Sequence, residues 1–268
     1  MLIKKIGVQI EDAGNDVAKQ LDQINNFLAS GVSAIIVNPV ETSATQAMSD
    51  AAAAANIPLV YVNRQPINVD TLPDNQAFVA SNEVDAGTLE IMEVCRLLKE
   101  AGKTEANIYI MQGELSNRAA VKRTADIHDV MASGNCGVTL NIIAEQTANW
   151  SRDEAQSLMT NWLSTGAPFD AVIANNDEMA IGAIQALKAG GIAMDAVIVG
   201  GVDATQDALA AMQAGELDAM VFQNAAGQGN GALDAALALV AGTAVEQKVY
   251  IPFELVTPAN VADYAAKN

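Results

Sequence analysis

The chain has 268 residues, half of them apolar, and carries 32 acidic against 14 basic residues for a formal net charge of −18. This length suffices for one large or two ordinary domains, and the apolar content for a complete core. The negative charge argues against nucleic acid and anionic membrane surfaces as partners, and no run of 18 apolar residues suggests a membrane span.

Short β-branched runs alternate with longer amphipathic stretches, a pattern typical of a parallel sheet with crossover helices. A first strand is predicted at residues 3–10, and a helix at residues 17–29 that ends at Gly31. The later strands are continuous apolar runs, as expected for strands covered on both faces. They are predicted at residues 34–37, 59–62, 78–80, 108–111, 140–144, 171–174, 196–199 and 219–222.

An internal repeat is the most informative feature of the chain. The first copy reads QLDQINNFLASGVSAIIVNP, then a helix, then IPLVYVNRQ. The second copy reads EAQSLMTNWLSTGAPFDAVIANND, then a helix, then MDAVIVGGVDA. In both copies a helix ends in a glycine turn, a buried strand ends at Asn, and a second strand ends in polar residues. The repeat predicts two similar lobes.

The two halves differ in what precedes the repeated unit. Residues 108–152, 45 in number, precede it in the second half, whereas residues 1–16 do so in the first half, so about 30 residues have no counterpart. We therefore expect a shortened N-terminal lobe.

Polar residues follow the predicted strands at the edge where open parallel sheets bind their ligands. They suit a neutral polyol, because Arg donates, Asp accepts, amides do both, and an indole covers the C–H face of a ring. The candidates from this argument are Asn63, Arg64, Trp150, Asn175, Asn176, Asp177, Asp203, Gln223 and Asn224.

Each of these residues also has a plainer interpretation. Asp177, rather than Asn176, is the expected cap of the helix DEMAIGAIQALKAG, and Asp203 could equally cap a helix that begins near Thr205. Arg64 could be a solvated loop charge, and Trp150 could be core packing. Their common position at strand ends supports a binding site better than any one of them does. Two cysteines, Cys95 and Cys136, fit either one disulfide or two buried thiols.

The residue sets required for catalysis or for a metal are not assembled. The single histidine, His128, is expected at the surface of a helix, and no nucleophile elbow or P-loop occurs. The run GQGNG at residues 227–231 lacks the spacing of a dinucleotide-binding loop. We therefore expect no enzyme activity, no catalytic residues, no metal and no cofactor.

The segments NDEMAIGAIQALKAGG, GGVDATQDAL, VNRQP and EQTAN resemble the periplasmic sugar-binding proteins of ABC transporters, in the ribose- and inositol-binding group. The likeness spans nearly the whole chain. It implies an α/β fold of the type I periplasmic binding proteins, with two doubly wound parallel-sheet lobes joined by a hinge. One lobe would comprise residues 1–106 and 225–254, and the other residues 107–224 and 255–268.

The resemblance also implies what the protein binds and with which residues. Its ligand would be a monosaccharide or cyclitol captured between the lobes, its partner a membrane permease, and its location the periplasm, with a signal peptide already removed. Asn63 replaces an Asp of ribose binders, which together with EQTAN favours an inositol-like ligand. Arg123 is a candidate on the resemblance alone. The implied ligand contacts are Asn63, Arg64, Arg123, Trp150 as the stacking aromatic, Asn176, Asp203 and Gln223.

Two other functions stay open at this point. One is a ligand-sensing module, as the core of a regulator or the feeder of a chemoreceptor, although no helix-turn-helix precedes the sheet pattern. The other is a shortened variant that folds without binding well. The resemblance implies a first strand and helix that cover the ligand, and their loss would remove one wall of the pocket and weaken binding. The apolar surface of the N-terminal lobe that this loss leaves uncovered would favour self-association.

Overall fold

The computed structural model describes residues 6–267 of the chain, which divides into two compact units. Unit 1 comprises residues 6–78 and 232–249, and unit 2 comprises residues 79–231 and 250–267. The helices are α1 (Val17–Ser30), α2 (Thr45–Ala54), α3 (Glu83–Glu100), α4 (Arg118–Ser133), α5 (Arg152–Ser164), α6 (Asp177–Ala189), α7 (Gln206–Gln213) and α8 (Ala225–Val240). The strands are β1 (Ile35–Val37), β2 (Leu59–Val62), β3 (Gln76–Ala80), β4 (Glu105–Gln112), β5 (Thr139–Thr147), β6 (Ala171–Ala174), β7 (Ile198–Asp203), β8 (Ala219–Phe222), β9 (Lys248–Tyr250) and β10 (Glu254–Val256).

Unit 2 is built around a six-stranded sheet in the order β10-β8-β7-β6-β4-β5. All neighbouring strands run parallel except β10, which pairs antiparallel with β8. One apolar cluster joins the sheet to α5, α6 and α7, and another joins it to α3 and α4. The central strand β6 is therefore buried on both faces, as its continuous apolar sequence predicts.

Unit 1 contains a smaller sheet of four strands in the order β1-β2-β3-β9. β1 pairs parallel with β2, as β6 pairs with β7 in unit 2. The order α1-β1-α2-β2 thus recurs as α5-β6-α6-β7, which confirms the internal repeat. Helix α1 matches the prediction and ends at Gly31, whose φ of 72° is left-handed and favours glycine.

One predicted strand is not formed by the residues that the structure describes, and a second is displaced along the chain. Ile6, Val8 and Ile10 lie outside any strand and are 50%, 73% and 87% exposed, while residues 1–5 fall outside the described part of the chain. A strand-like sequence needs a hydrogen-bonding neighbour, and within residues 6–267 the outer edge of β1 has none. The strand predicted at residues 196–199 is displaced, because a 3₁₀ turn occupies Met194–Ala196 and β7 continues through the glycine pair to Asp203.

Cys95 on α3 and Cys136, beyond the end of α4, form a disulfide, which decides between the two alternatives left by the sequence. Both residues are buried in the apolar cluster between α3, α4 and the sheet. The bond therefore fastens two neighbouring helical segments of unit 2 to each other.

Helix α8 presents a stripe of large apolar side chains to solvent. Leu233, Leu237 and Val240 are between 38% and 47% exposed, whereas the smaller Ala232 and Ala236 are buried. Helix α3 offers a comparison, because each of the two helices follows an asparagine, Asn82 or Asn224.

At the same distances beyond the preceding asparagine, α3 carries Ile91, Cys95 and Leu98, all buried with residues of α4. No helix of the described chain covers the stripe on α8 in this way, and Ile36 in the middle of β1 is exposed as well. Unit 1 therefore has uncovered apolar surface, as the resemblance implied.

The disulfide gives a first prediction. It closes a loop between residues 41 positions apart, so replacing both cysteines by serine should lower the free energy of unfolding by about 2–4 kcal/mol. Urea unfolding of the double variant, followed by circular dichroism, measures this. An unfolding midpoint equal to that of the wild type would contradict the expectation.

Candidate ligand-binding site

The carboxyl ends of the parallel strands in unit 2 meet at one edge of the sheet, and the predicted site residues of this unit lie there. Asn176 follows β6, Asp203 ends β7, and Gln223 follows β8. The backbone N–H of Gln223 donates to the carbonyl of Asp203 at 3.1 Å, so these two residues are direct neighbours. Trp150 lies beyond β5 on the other side of β6.

Arg123, on α4, contacts residues from several elements at this edge, and its side chain is only 4% exposed. Its Nε donates to Glu83 Oε2 at 2.8 Å, and one Nη donates to the carbonyl oxygen of Asn175 at 2.6 Å. The same Nη stands 3.8 Å from Asp203 Oδ1, and the guanidinium lies 5.8 Å from the centre of the Trp150 ring. Burial alone would lower the pKa of Arg123, but the charges of Glu83 and Asp203 raise it, so the residue stays positively charged.

Asp203 combines limited contact with water and a strained backbone. Solvent reaches 28% of its side chain, but protein crowds the rest, and this burial raises the pKa of Asp203 to about 7 despite the opposing charge of Arg123. Its φ of 127° is unusual for a residue with a side chain, and that of the following Ala204 is 60°. Strain of this kind persists where the fold needs a side chain to point in a particular direction.

Trp150 is held against a glycine. Any side chain at Gly113, directly after β4, would overlap the six-membered ring of Trp150. Trp150 and Asn149 both have positive φ values, 63° and 52°, so the backbone is strained here as it is at Asp203. The indole N–H is buried and has no hydrogen-bond partner among the described residues, which is unusual for a buried donor.

The capping assignments made from sequence are reversed. Asn176 caps α6, because its Oδ1 accepts from the N–H of Met179 at 3.0 Å. Asp177 is instead fully buried, and its Oδ2 accepts from the N–H of Thr205 at 2.8 Å. Burial and the nearby charge of Asp203 raise the pKa of Asp177 well above its ordinary value. Asp203 caps no helix, since the hydroxyl of Thr205 accepts from Ala208 at the start of α7.

Sequence reasoning gave too little weight to several residues of this edge. Asn175 is fully buried, and its Oδ1 accepts from the N–H of Gly113 and the hydroxyl of Thr124, each at 3.1 Å. Glu83 holds Arg123 from 40 positions away in the sequence, a distance that no local pattern reveals. Another acidic residue of α3, Glu90, is also buried here.

Asn63 and Arg64 form a separate group in unit 1, directly after β2. Asn63 has a φ of 66°, so a third predicted site residue stands in the left-handed region. Arg64 is half-buried, and its Nη1 donates to the carbonyl of Val40 at 2.5 Å, beyond the end of the neighbouring strand β1. It is therefore more ordered than a solvated loop charge.

The described residues give little support to a catalytic histidine, a metal site or a membrane span. His128 is largely exposed and hydrogen-bonds Glu145 at 2.7 Å. Among residues 6–267 no group of three or more His, Cys, Asp and Glu side chains is placed to hold a metal ion. No described helix has both the length and the apolarity needed to cross a bilayer.

Comparison with known proteins shows the family of the chain. Residues 3–244 match the family described as periplasmic binding protein domain. The chain belongs to this family. It has the type I periplasmic-binding-protein fold, as the resemblance predicted.

Several relatives are similar over nearly the whole chain. A protein of Rhizobium meliloti named as a rhizopine-binding protein is 64% identical over 98% of this chain and 84% of its own length. The solute-binding protein of an ABC transporter from Bacillus halodurans, solved with bound myo-inositol, is 43% identical with a TM-score of 0.89, covering 96% of this chain and 86% of its own. The myo-inositol binding protein of Caulobacter, also with myo-inositol, is 28% identical with a TM-score of 0.85, covering 96% and 85%. These relatives are binding proteins by name, not enzymes.

The contact between Gly113 and Trp150 gives a second prediction. Gly113→Ala should displace the indole and destabilise the protein by about 1–3 kcal/mol, because the added methyl has no space. The emission maximum of Trp150 should also shift to longer wavelength as the ring becomes solvated.

Gly229→Ala is the matched control. Nothing lies within 4 Å of the Cβ it would add, and alanine favours a helix, so it should leave the spectrum unchanged and raise stability by up to about 1 kcal/mol. Equal effects of the two substitutions would show that Trp150 does not pack against Gly113.

Proposed function

We propose that this protein captures a cyclitol or monosaccharide, of the inositol or ribose type, for uptake by an ABC transporter. The observation that carries the proposal is the polar edge of unit 2, where Arg123 stands 3.8 Å from Asp203 and 5.8 Å from the centre of the Trp150 ring, and where Asn176 and Gln223 follow β6 and β8. Two similar proteins, at 43% and 28% identity, have been solved with myo-inositol bound.

The chemistry of this edge suits a ring that carries several hydroxyl groups. Arg123 donates, the carboxylate of Asp203 accepts, and the amides of Asn176 and Gln223 can do either, which matches hydroxyls that both give and accept a proton. The indole of Trp150 offers an apolar face for the C–H side of such a ring and a buried N–H for one of its oxygens. A charge-assisted hydrogen bond contributes about 1.5–3 kcal/mol, so a few of them give tight binding.

Capture would use contacts from both halves of the chain, with Asn63 and Arg64 as the contribution of the first. Closure of a hinge on the ligand gives affinity to the closed state only, because only that state makes both sets of contacts. The lobe boundaries near residues 106, 224 and 254 remain predictions of the family resemblance.

The compartment and the partner follow from the same reasoning. The disulfide between Cys95 and Cys136 is of the kind that persists in oxidising compartments such as the periplasm. A protein that delivers its ligand to a transporter needs a membrane permease as its partner. It binds without changing the ligand, so we propose no enzymatic activity.

A tryptophan-fluorescence titration tests this function. Myo-inositol, other inositols, pentoses and hexoses are added in turn, and we expect saturation with one or two of them. Trp150 should report binding, whereas Trp162, stacked on Tyr109 at 4.4 Å in the core, should not.

Asp203→Ala should weaken binding by about 10- to 100-fold, the loss expected for one charge-assisted hydrogen bond. Asp234→Ala, an exposed change on α8 with the same loss of charge, should bind like the wild type. A folded wild type that responds to no compound, or an Asp203 variant of unchanged affinity, would contradict the proposal.

We also propose that the protein self-associates through the apolar stripe of Leu233, Leu237 and Val240. The support is the comparison with α3, in which the equivalent positions are covered by another helix. The net charge of −18 opposes contact between copies, so association should strengthen as salt screens this repulsion.

Sedimentation velocity at 20 and 500 mM NaCl tests self-association. The wild type should shift towards a dimer at high salt, and Leu237→Glu should keep it a monomer. A wild type that stays monomeric at high concentration in both salts would exclude this use of the stripe.

A further inference from the structure

One face of α3 is turned towards Arg123. Glu83, Gly87 and Glu90 are spaced one helical turn apart along it. Glu83 binds the guanidinium, and the missing side chain of Gly87 allows α4 to approach, because a Cβ there would overlap the carbonyl oxygen of Arg123 and come within 2.9 Å of Asp126 Cβ. Glu90 completes this face, one turn beyond Gly87.

Glu90 fits into a notch in the sheet. Its side chain is fully buried against β7 at Gly200, where a Cβ would stand 2.7 Å from Glu90 Oε1. On the same side of β7 and β8, Val202 and Val221 belong to an apolar cluster, so the carboxyl group enters an otherwise apolar layer. The glycine at position 200 makes room for it.

Neither oxygen of Glu90 makes a well-formed hydrogen bond within residues 6–267, although the backbone N–H of Ala174 on β6 lies close enough to lower the pKa of the group. The charged groups that act on it are Arg123 from α4 and Asp177 from α6, while β7 and β8 present glycine and valine. Burial raises the pKa of Glu90 to about 8, although the charge of Arg123 acts in the opposite direction. At neutral pH the group is mostly a carboxylic acid.

Packing alone does not require an acid at this position. Glu90 stands eight residues after Asn82, and the residue eight positions after Asn224 in the related helix α8 is Ala232. Ala232 is also fully buried. A small apolar side chain therefore fills the corresponding position of α8, and the carboxyl group of Glu90 calls for a different explanation.

We propose that Glu90 is a positioning residue for ligand binding. It is an uncharged acid in the notch at Gly200, so the guanidinium of Arg123 interacts with Glu83, with the Asn175 carbonyl and with the ligand rather than with Glu90. The role rests on the proposed function. An ionised Glu90 would attract the guanidinium away from the Asn175 carbonyl and Asp203, and affinity would fall.

The test measures the dissociation constant of myo-inositol between pH 6.5 and 9.5 for the wild type and for Glu90→Gln. The amide has the shape of the acid and cannot ionise, so it should bind within about twofold of the wild type at pH 7. Asp203, whose pKa is raised to about 7, ionises over the lower part of this range in both proteins, so the two are compared at each pH. The affinity of the wild type relative to that of Glu90→Gln should fall about fivefold or more between pH 7 and 9.5.

Glu93→Gln is the matched control. Glu93 is also buried on α3 but pairs with Arg96, away from the candidate site, so this variant should follow the wild type at every pH. A Glu90→Gln variant that loses affinity with pH as the wild type does would overturn the positioning role while leaving the proposed function intact.

A second measurement needs no ligand. Unfolded Glu ionises near pH 4.3, whereas folded Glu90 keeps its proton to about pH 8. The wild type should therefore lose stability relative to Glu90→Gln as the pH rises from about 5 to about 8, and the difference should level off above that. A difference in unfolding temperature that stays constant over this range would show that Glu90 is charged and overturn the proposal. If the wild type binds no compound, the proposed function and the positioning role fail together, and the stability profile still decides whether Glu90 is uncharged.

Discussion

Arg123 places a permanent positive charge in the interior of unit 2, where very little of it reaches water. Burying such a charge costs several kcal/mol unless it is paired and hydrogen-bonded. Glu83 on α3 and the carbonyl of Asn175 after β6 meet this requirement, and Asp203 at the end of β7 stands close by. Because one guanidinium makes all these contacts, α3, α4 and the ends of β6 and β7 have to keep a single arrangement, and that arrangement forms the polar edge of the sheet.

Much of this could be predicted from the sequence because it follows from periodic patterns. The continuous apolar run of β6 predicts burial on both faces, and the repeat predicts two similar α/β units, both of which the structure shows. The rule that ligands bind beyond the carboxyl ends of parallel strands also led to one edge of unit 2, where the structure brings several of the candidate residues together. It places Asn176, Asp203 and Gln223 together without any knowledge of the contacts between them.

The remaining features depend on distant partners that no local pattern reveals. The segment before α1 has a strand-like sequence but no neighbour to pair with among the described residues. The strand predicted at residues 196–199 stops before the pair Gly200-Gly201, yet β7 continues through this pair. The two positions are glycine because Glu90 on one face and Asp177 on the other occupy the space that side chains would fill. Asn176 rather than Asp177 became the cap for the same reason, since burial of Asp177 was invisible in the sequence.

The disulfide between Cys95 and Cys136 affects the order in which the segments of unit 2 can fold. Both sulfurs precede β6, β7 and β8 in the sequence. In a chain delivered N-terminus first, from a ribosome or a translocation channel, they can meet while the middle of the six-stranded sheet has still to emerge. The segment α3-β4-α4 would then be a covalently closed template, and the later strands would add to an edge that is already in place.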